Sequence, residues 1–338
     1  MTAMIKQMIR SMVVGFLVPA ALVLAVLAAA EKPPETELPT KPIGQKVTLP
    51  PAATVPTTVP TEAEMPLFLP VLHGGQTENW DIEVYLVGVL LAEVPASFEA
   101  EALKAQAVAA RTYALKCHQM GYKHGGAVCT DGTCCQGYIT PQDYLQRGGS
   151  EEGVNKIRSA VEATRGEVLV YGGTLIVATY FSCSGGRTED AQAVWGQDYP
   201  YLQAVESPGE EQASYFADEK HITPEQLQAA LAVTLPPEPE TWLGEMTYTD
   251  GEGVDSLCIG GVQYRGTTLR SLLGLRSTRF TVNYRDGVFV FATLGYGHRV
   301  GLSQYGAEAM ALAGSDYQQI LIHYYQGTEI TLFSAKNL

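Results

Sequence analysis

Two groups of residues have the types and spacing to do chemistry. The first is a single acid. Glu93 is the only charged side chain between Glu83 and Glu99, and it closes an apolar run just before Pro95. Apolar surroundings penalise the ionised carboxylate, so such a group holds its proton to a higher pH. A carboxylic acid still protonated near neutral pH can donate to a leaving group. The bland alternative is a Glu on the wet side of a helix end. The second group is His124, Cys129, Cys134 and Cys135, four ligands within twelve residues. A Cys3His set suits structural zinc, and four protein ligands leave no open position for substrate. With six cysteines in the chain, disulfides are the competing reading. Cys117 and His118 stand in reserve as ligands.

The elements that must position these groups follow from pattern. Residues 81–92 and 99–120 read as two helices joined at Val94-Pro95-Ala96-Ser97, with Ser97 as an N-cap for the second. On that second helix Lys104, Val108, Arg111 and Leu115 share a face. The two cations are either solvated or aimed together at an anionic partner. Residues 121–137 form a Gly- and Cys-rich loop. Residues 167–171 and 174–182 read as strands around Gly172-Gly173, and residues 279–284 and 288–294 as strands around Asp286-Gly287. A helix starts at Thr223-Pro224, and residues 304–313 and 318–325 look helical. Helices mixed with short strands, without a βαβ repeat, predict an α+β domain.

Composition narrows the setting. The chain has 338 residues and a net charge of −14, which argues against nucleic acid as a partner. Lys6 and Arg10 precede an uncharged apolar stretch over residues 12–30, about long enough to span a bilayer. The basic flank would stay in the cytoplasm and the remainder would be exported. Ala28-Ala29-Ala30 also offers a cleavage site, but the length favours an uncleaved anchor. Residues 31–66 carry nine prolines and few large apolar side chains, so they predict an extended linker. The expected organisation is a cytoplasmic stub and anchor over 1–30, a linker over 31–66 and an extracytoplasmic catalytic domain over 67–338.

Several stretches together resemble a known family. They are Asp81 to Pro95 with its Ala92-Glu93-Val94-Pro95 end, and Glu101 to Ala114 with Lys104, Gln106 and Arg111. Three more are Cys135-Gln136-Gly137-Tyr138, the run from Tyr180 to Gly186 with Val194-Trp195-Gly196, and Gly295 to Ala307. This pattern closely resembles the stage II sporulation protein D family and spans about residues 78–330. The resemblance implies a single large two-lobed α+β domain with a central cleft. It implies a membrane-anchored lytic transglycosylase that cuts peptidoglycan glycan strands during forespore engulfment, in the septal space between mother cell and forespore.

The resemblance also implies partners and roles. The strands would be stripped of stem peptides by an amidase, stage II sporulation protein P, with stage II sporulation protein M as membrane scaffold. The catalytic Glu falls on Glu93. Lys104, Gln106, Arg111, Tyr180, Ser182, Ser184, Gly185, His298, Ser303 and Gln304 would contact substrate. Arg111 could instead pair with Glu93, and His298 could be a turn residue bonded to backbone. Relatives often carry His at position 182, usually His at 134 and usually Gly at 299, where this chain has Ser182, Cys134 and Arg299. A comparable cluster in family members holds zinc, which here would be more thiolate-rich; no organic cofactor is implied. Related domains also occur in amidase enhancers, which bind wall without cutting it.

Overall fold

The computed structural model describes residues 67–334 apart from Tyr122. The expected anchor and linker lie outside the described residues. Among the described residues no helix is long and apolar enough to cross a membrane.

A hairpin of β1 (Phe68–His73) and β2 (Gln76–Asp81) opens the fold. It runs directly into α1 (Ile82–Glu93), because Asp81 ends the strand and caps the helix, accepting from Glu83 N and Val84 N. α1 is apolar almost all round and stops at Val94, whose extended backbone suits the residue before proline. α2 (Ala100–Met120) follows. Its N-cap is Glu99 rather than Ser97, and the Glu99 N–H donates to Glu308 Oε2 at 2.6 Å. Six alanines between Ala102 and Ala114 are buried, so neighbours approach α2 closely. It is the central rod of the larger core. Against it pack α1, β4 (Glu167–Tyr171) and, from the middle of the chain, α4 (Glu151–Ala163). Before α4 come β3 (Val128–Cys129), parallel to β1, and the short α3 (Pro141–Gln146).

The strand expected over 174–182 is broken into β5 (Thr174–Leu175) and β6 (Tyr180–Phe181). The chain then passes through α5 (Ala191–Trp195) into a second lobe with its own core. This lobe contains β7 (Ala217–Ile222), α6 (Pro224–Leu231), β8 (Leu243–Tyr248), β9 (Val254–Ile259), β10 (Val262–Arg265), α7 (Gly266–Leu273), β11 (Phe280–Arg285) and β12 (Val288–Leu294). Two three-stranded sheets, ordered β10-β9-β8 and β11-β12-β7, enclose Trp242, Leu257, Leu269 and Phe289. The chain returns to the first lobe through β13 (Leu302–Ser303), parallel to β6. It ends with α8 (Gln304–Leu312), α9 (Tyr317–Tyr324) and β14 (Glu329–Leu332), the last paired with β4. The architecture is therefore mixed α and β, with two separate hydrophobic cores.

Candidate active site and metal cluster

Glu93 is the last residue of α1, and its Oε1 accepts from the Gly137 N–H at 2.6 Å. No ion pair engages it among the described residues. Burial raises its carboxyl above the ordinary value of 4.5, and the Gly137 bond lowers it without cancelling the rise. Gly137 is where lack of a side chain matters. A Cβ there would stand 3.0 Å from Glu93 Oε1, so a glycine lets the backbone N–H close on the acid. The acid adjoins a cleft of about 650 Å³ whose wall includes Ala92, Gly132 and Gly137.

The residue preceding Gly137 ties this region together. Gln136 is buried; its Oε1 accepts from Tyr85 OH at 3.2 Å, and its Nε2 donates to Ala110 O at 3.2 Å and to Tyr180 OH at 2.9 Å. Tyr180 is thus close to the acid; burial, then the Glu93 charge, push its phenol well up. Gln136 had no role assigned from sequence, although it lies inside Cys135-Gln136-Gly137-Tyr138. Gln106 shares a stripe of α2 with Ala110, which accepts from Gln136, and Tyr113, which meets Tyr180 edge-on. It is 1% exposed and neither amide atom is bonded among the described residues.

Several substrate contacts expected from sequence are committed elsewhere. Arg111 is fully buried. Its guanidinium grips both Glu83 oxygens, at 3.0 and 2.5 Å, and donates to the Glu167 and Val161 carbonyls. It neither lines a groove nor pairs with Glu93, because Glu83 at the opposite end of α1 claims it. Lys104 is held by Glu101 at 2.6 Å and lies over the Tyr317 ring. Ser184 and Gly185 turn away from solvent toward the buried carboxylate of Glu210, which accepts from both N–H groups and the Ser184 hydroxyl at 2.8 Å each. Ser303 donates to the other Glu210 oxygen at 2.5 Å and caps α8. These three residues satisfy a buried charge and are unavailable to ligand.

The remainder divide. Ser182 is half-buried and Gln304 is buried at the start of α8. His298 accepts from the Val300 N–H through Nδ1 at 3.1 Å and packs on Trp195 and Phe181. Burial, then the charge of Arg270, push its pKa down to about 4, so it is neutral and bonded to backbone. Arg299 adopts φ +68° and is fully buried, donating to Glu189, Thr278 and the Ser184, Arg187 and Gly251 carbonyls. Glu189 is therefore spoken for, and Asp190 caps α5. Tyr201 is a core residue, whereas Trp195 keeps 40% of its surface exposed.

His124, Cys129, Cys134 and Cys135 converge so that their donor atoms all lie within 4.8 Å of one another. The His124 Nε2 to Cys134 Sγ distance is 3.3 Å, and all six cysteines are free thiols. The cluster can close around one cation. Burial and the charges of Cys129 and Cys134 push the Cys135 thiol up to about 12, although backbone bonding at Cys129 acts the other way. That crowding of donors is what a cation relieves. Cys117 and His118 fall outside the set; His118 Nδ1 is bonded with the Gly126 carbonyl at 2.7 Å.

Residues 74–171 match the model of a family described as stage II sporulation protein. Stage II sporulation protein D of Bacillus amyloliquefaciens is 35% identical over 280 residues, covering 80% of this chain and 81% of that protein. The chain belongs to the stage II sporulation protein D family. Its counterpart from Bacillus subtilis is 35% identical over 274 residues, 79% of each chain. An amidase enhancer of the same organism is 31% identical over 307 residues, covering 73% of this chain and 40% of the relative. The span matched by the family model holds Glu93, Gln106, the Cys3His cluster and the cleft, and stops before Glu210 and His298.

Proposed function

We propose that this protein is a peptidoglycan lytic transglycosylase acting on peptide-stripped glycan strands during engulfment, with Glu93 as its single acid/base residue. The supporting observation is a partly buried carboxyl with a raised pKa, unpaired with any cation among the described residues and held by one backbone N–H beside an open cleft. Such an acid can protonate the glycosidic oxygen as the bond to C1 of N-acetylmuramic acid breaks. The C6 hydroxyl oxygen then bonds to C1 and its proton passes to the Glu93 carboxylate. No water is consumed, the product ends in a 1,6-anhydro ring and the acid is regenerated. A water-using glycosidase would need a second carboxylate. Tyr180 and Gln136 hold the wall behind the acid.

Product analysis by mass spectrometry on peptide-free strands, with wild type and Glu93→Gln, tests this reading. Anhydro-terminated products that vanish in the variant support it. Reducing-end products lost in Asp131→Asn would instead make the protein a hydrolase, because Asp131 lines the same cleft. Binding retained without any product would favour the amidase-enhancer reading, which the Bacillus subtilis relative motivates. The pH dependence follows from the raised pKa. The acid must carry its proton, so cleavage is full at low pH and declines as pH rises through the Glu93 pKa. The midpoint of that descending limb is expected above 4.5 in initial-rate profiles.

Zinc fits the thiolate-rich donor set and would act structurally, pinning the loop that carries Gln136 and Gly137. Elemental analysis is expected to give one zinc per chain, lost in Cys134→Ser, with chelation lowering the melting temperature. A count of fewer than six thiols in metal-free protein unfolded in denaturant would point to disulfides instead. Membrane attachment through residues 12–30 and action beside an amidase, stage II sporulation protein P, on the scaffold of stage II sporulation protein M complete the proposal.

A further inference from the structure

A strand stripped of its peptides carries a free lactyl carboxylate on each muramic acid, and the two cations expected to meet it are both occupied. Arg111 is locked on Glu83 and Lys104 on Glu101. The cleft beside Glu93 contains another. Arg147 lines the same cleft of about 650 Å³ as Ala92, Gly132, Gly137 and Tyr138. Its guanidinium is exposed and makes no hydrogen bond or ion pair among the described residues. The other charged group in the wall, Asp131, accepts two bonds at one oxygen from Thr133, at 2.7 and 2.8 Å.

We infer that Arg147 is the carboxylate-reading residue of the cleft, selecting glycan that bears free lactyl groups. This rests on the reading of the cleft as a glycan site and adds the source of its specificity. Three features carry it. The guanidinium is planar and matches a carboxylate with two parallel hydrogen bonds. Its backbone is fixed, because Arg147 ends α3 with its N–H on the Asp143 carbonyl and the next turn folds Gly149 N–H back onto the Tyr144 carbonyl at 3.0 Å. The cleft has aromatic walls, Tyr138 and Tyr144, for the sugar faces, and its volume falls within the range of about 300–1,000 Å³ usual for such sites. A strand whose muramic acids still carry peptides has these carboxyls in amide linkage, without charge for Arg147 to meet. The same residue would therefore favour strands already processed by an amidase reaction.

The test uses full-length protein in detergent, with Glu93→Gln as the parent so that bound strands survive. Binding is measured to peptide-free strands and to the same strands with carboxyls reduced to alcohols. The parent is expected to bind the carboxylated strands at least about tenfold more tightly. Arg147→Gln is expected to lose that preference while binding the reduced strands as the parent does, and Arg147→Lys to keep part of it. Arg147→Gln retaining the full preference would overturn the inference and leave the glycan site standing. A parent that binds neither polymer would overturn the site itself, and the inference with it.

Discussion

Replacing Glu93 with Gln is expected to slow strand cleavage by about 10²–10⁴-fold, the usual worth of general acid–base assistance, without loosening the fold. The amide is nearly isosteric, and its oxygen can keep the bond donated by Gly137 N–H. What it lacks is a transferable proton. Single-turnover rates and thermal melts of the two proteins separate these effects. A variant that melts with wild type and still cleaves at the wild-type rate would remove Glu93 from the mechanism. Glu93→Asp probes the geometry, since it keeps the proton but withdraws it by one methylene from the Gly137 N–H. Its rate should fall between those of the other two.

The second large effect is on stability. Arg111→Ala is expected to destabilise the protein by about 3–5 kcal/mol, the cost of stranding one member of a buried ion pair. Glu83 would keep only the Gly166 N–H, at 3.1 Å, and the Glu167 and Val161 carbonyls would each lose one donor. Urea denaturation should show a lower midpoint at an unchanged slope. The double change Arg111→Met with Glu83→Gln should recover part of the loss, because no charge is left unpaired. An Arg111→Ala protein as stable as wild type but unable to bind strands would return Arg111 to the groove.

The sequence made α1 and α2 legible to within a residue or so at each end, because an apolar run, a proline and an alanine-rich stripe are local signals. It made Glu93 legible for the same reason, since the absence of nearby charge is visible in the chain itself. The destinations of polar side chains were not legible. Ser184 and Gly185 in a small-residue turn, and Ser303 in a later motif, look like ligand-binding donors, yet their acceptor, Glu210, lies 26, 25 and 93 residues away. A sequence displays a donor but not the acceptor that the fold brings to it. Arg111 was misplaced likewise, its partner lying 28 residues back. Some omissions had a signal. Ser150 caps α4, and Val154, Ile157 and Val161 follow on one buried face, a pattern sufficient to place that helix. The β1–β2 hairpin likewise turns at Gly74-Gly75.

The second lobe leaves and re-enters the first at one point, where the Gly295 N–H meets the Phe216 carbonyl at 2.7 Å. Ends so close together are the signature of a segment that can be gained or lost without redirecting the rest of the chain. In this protein the segment is also tied to the first lobe by buried charges. Glu189 draws hydrogen bonds from Thr249 and Gly253, and Arg299 gives them to Gly251 and Thr278, all four within the segment. Excising it would strip two buried charges of these partners. Arg299 holds a left-handed backbone that glycine adopts more readily, and its side chain makes the two lobes mutually dependent. A version of the protein without this segment would therefore also need changes at Glu189 and Arg299 to leave no buried charge stranded.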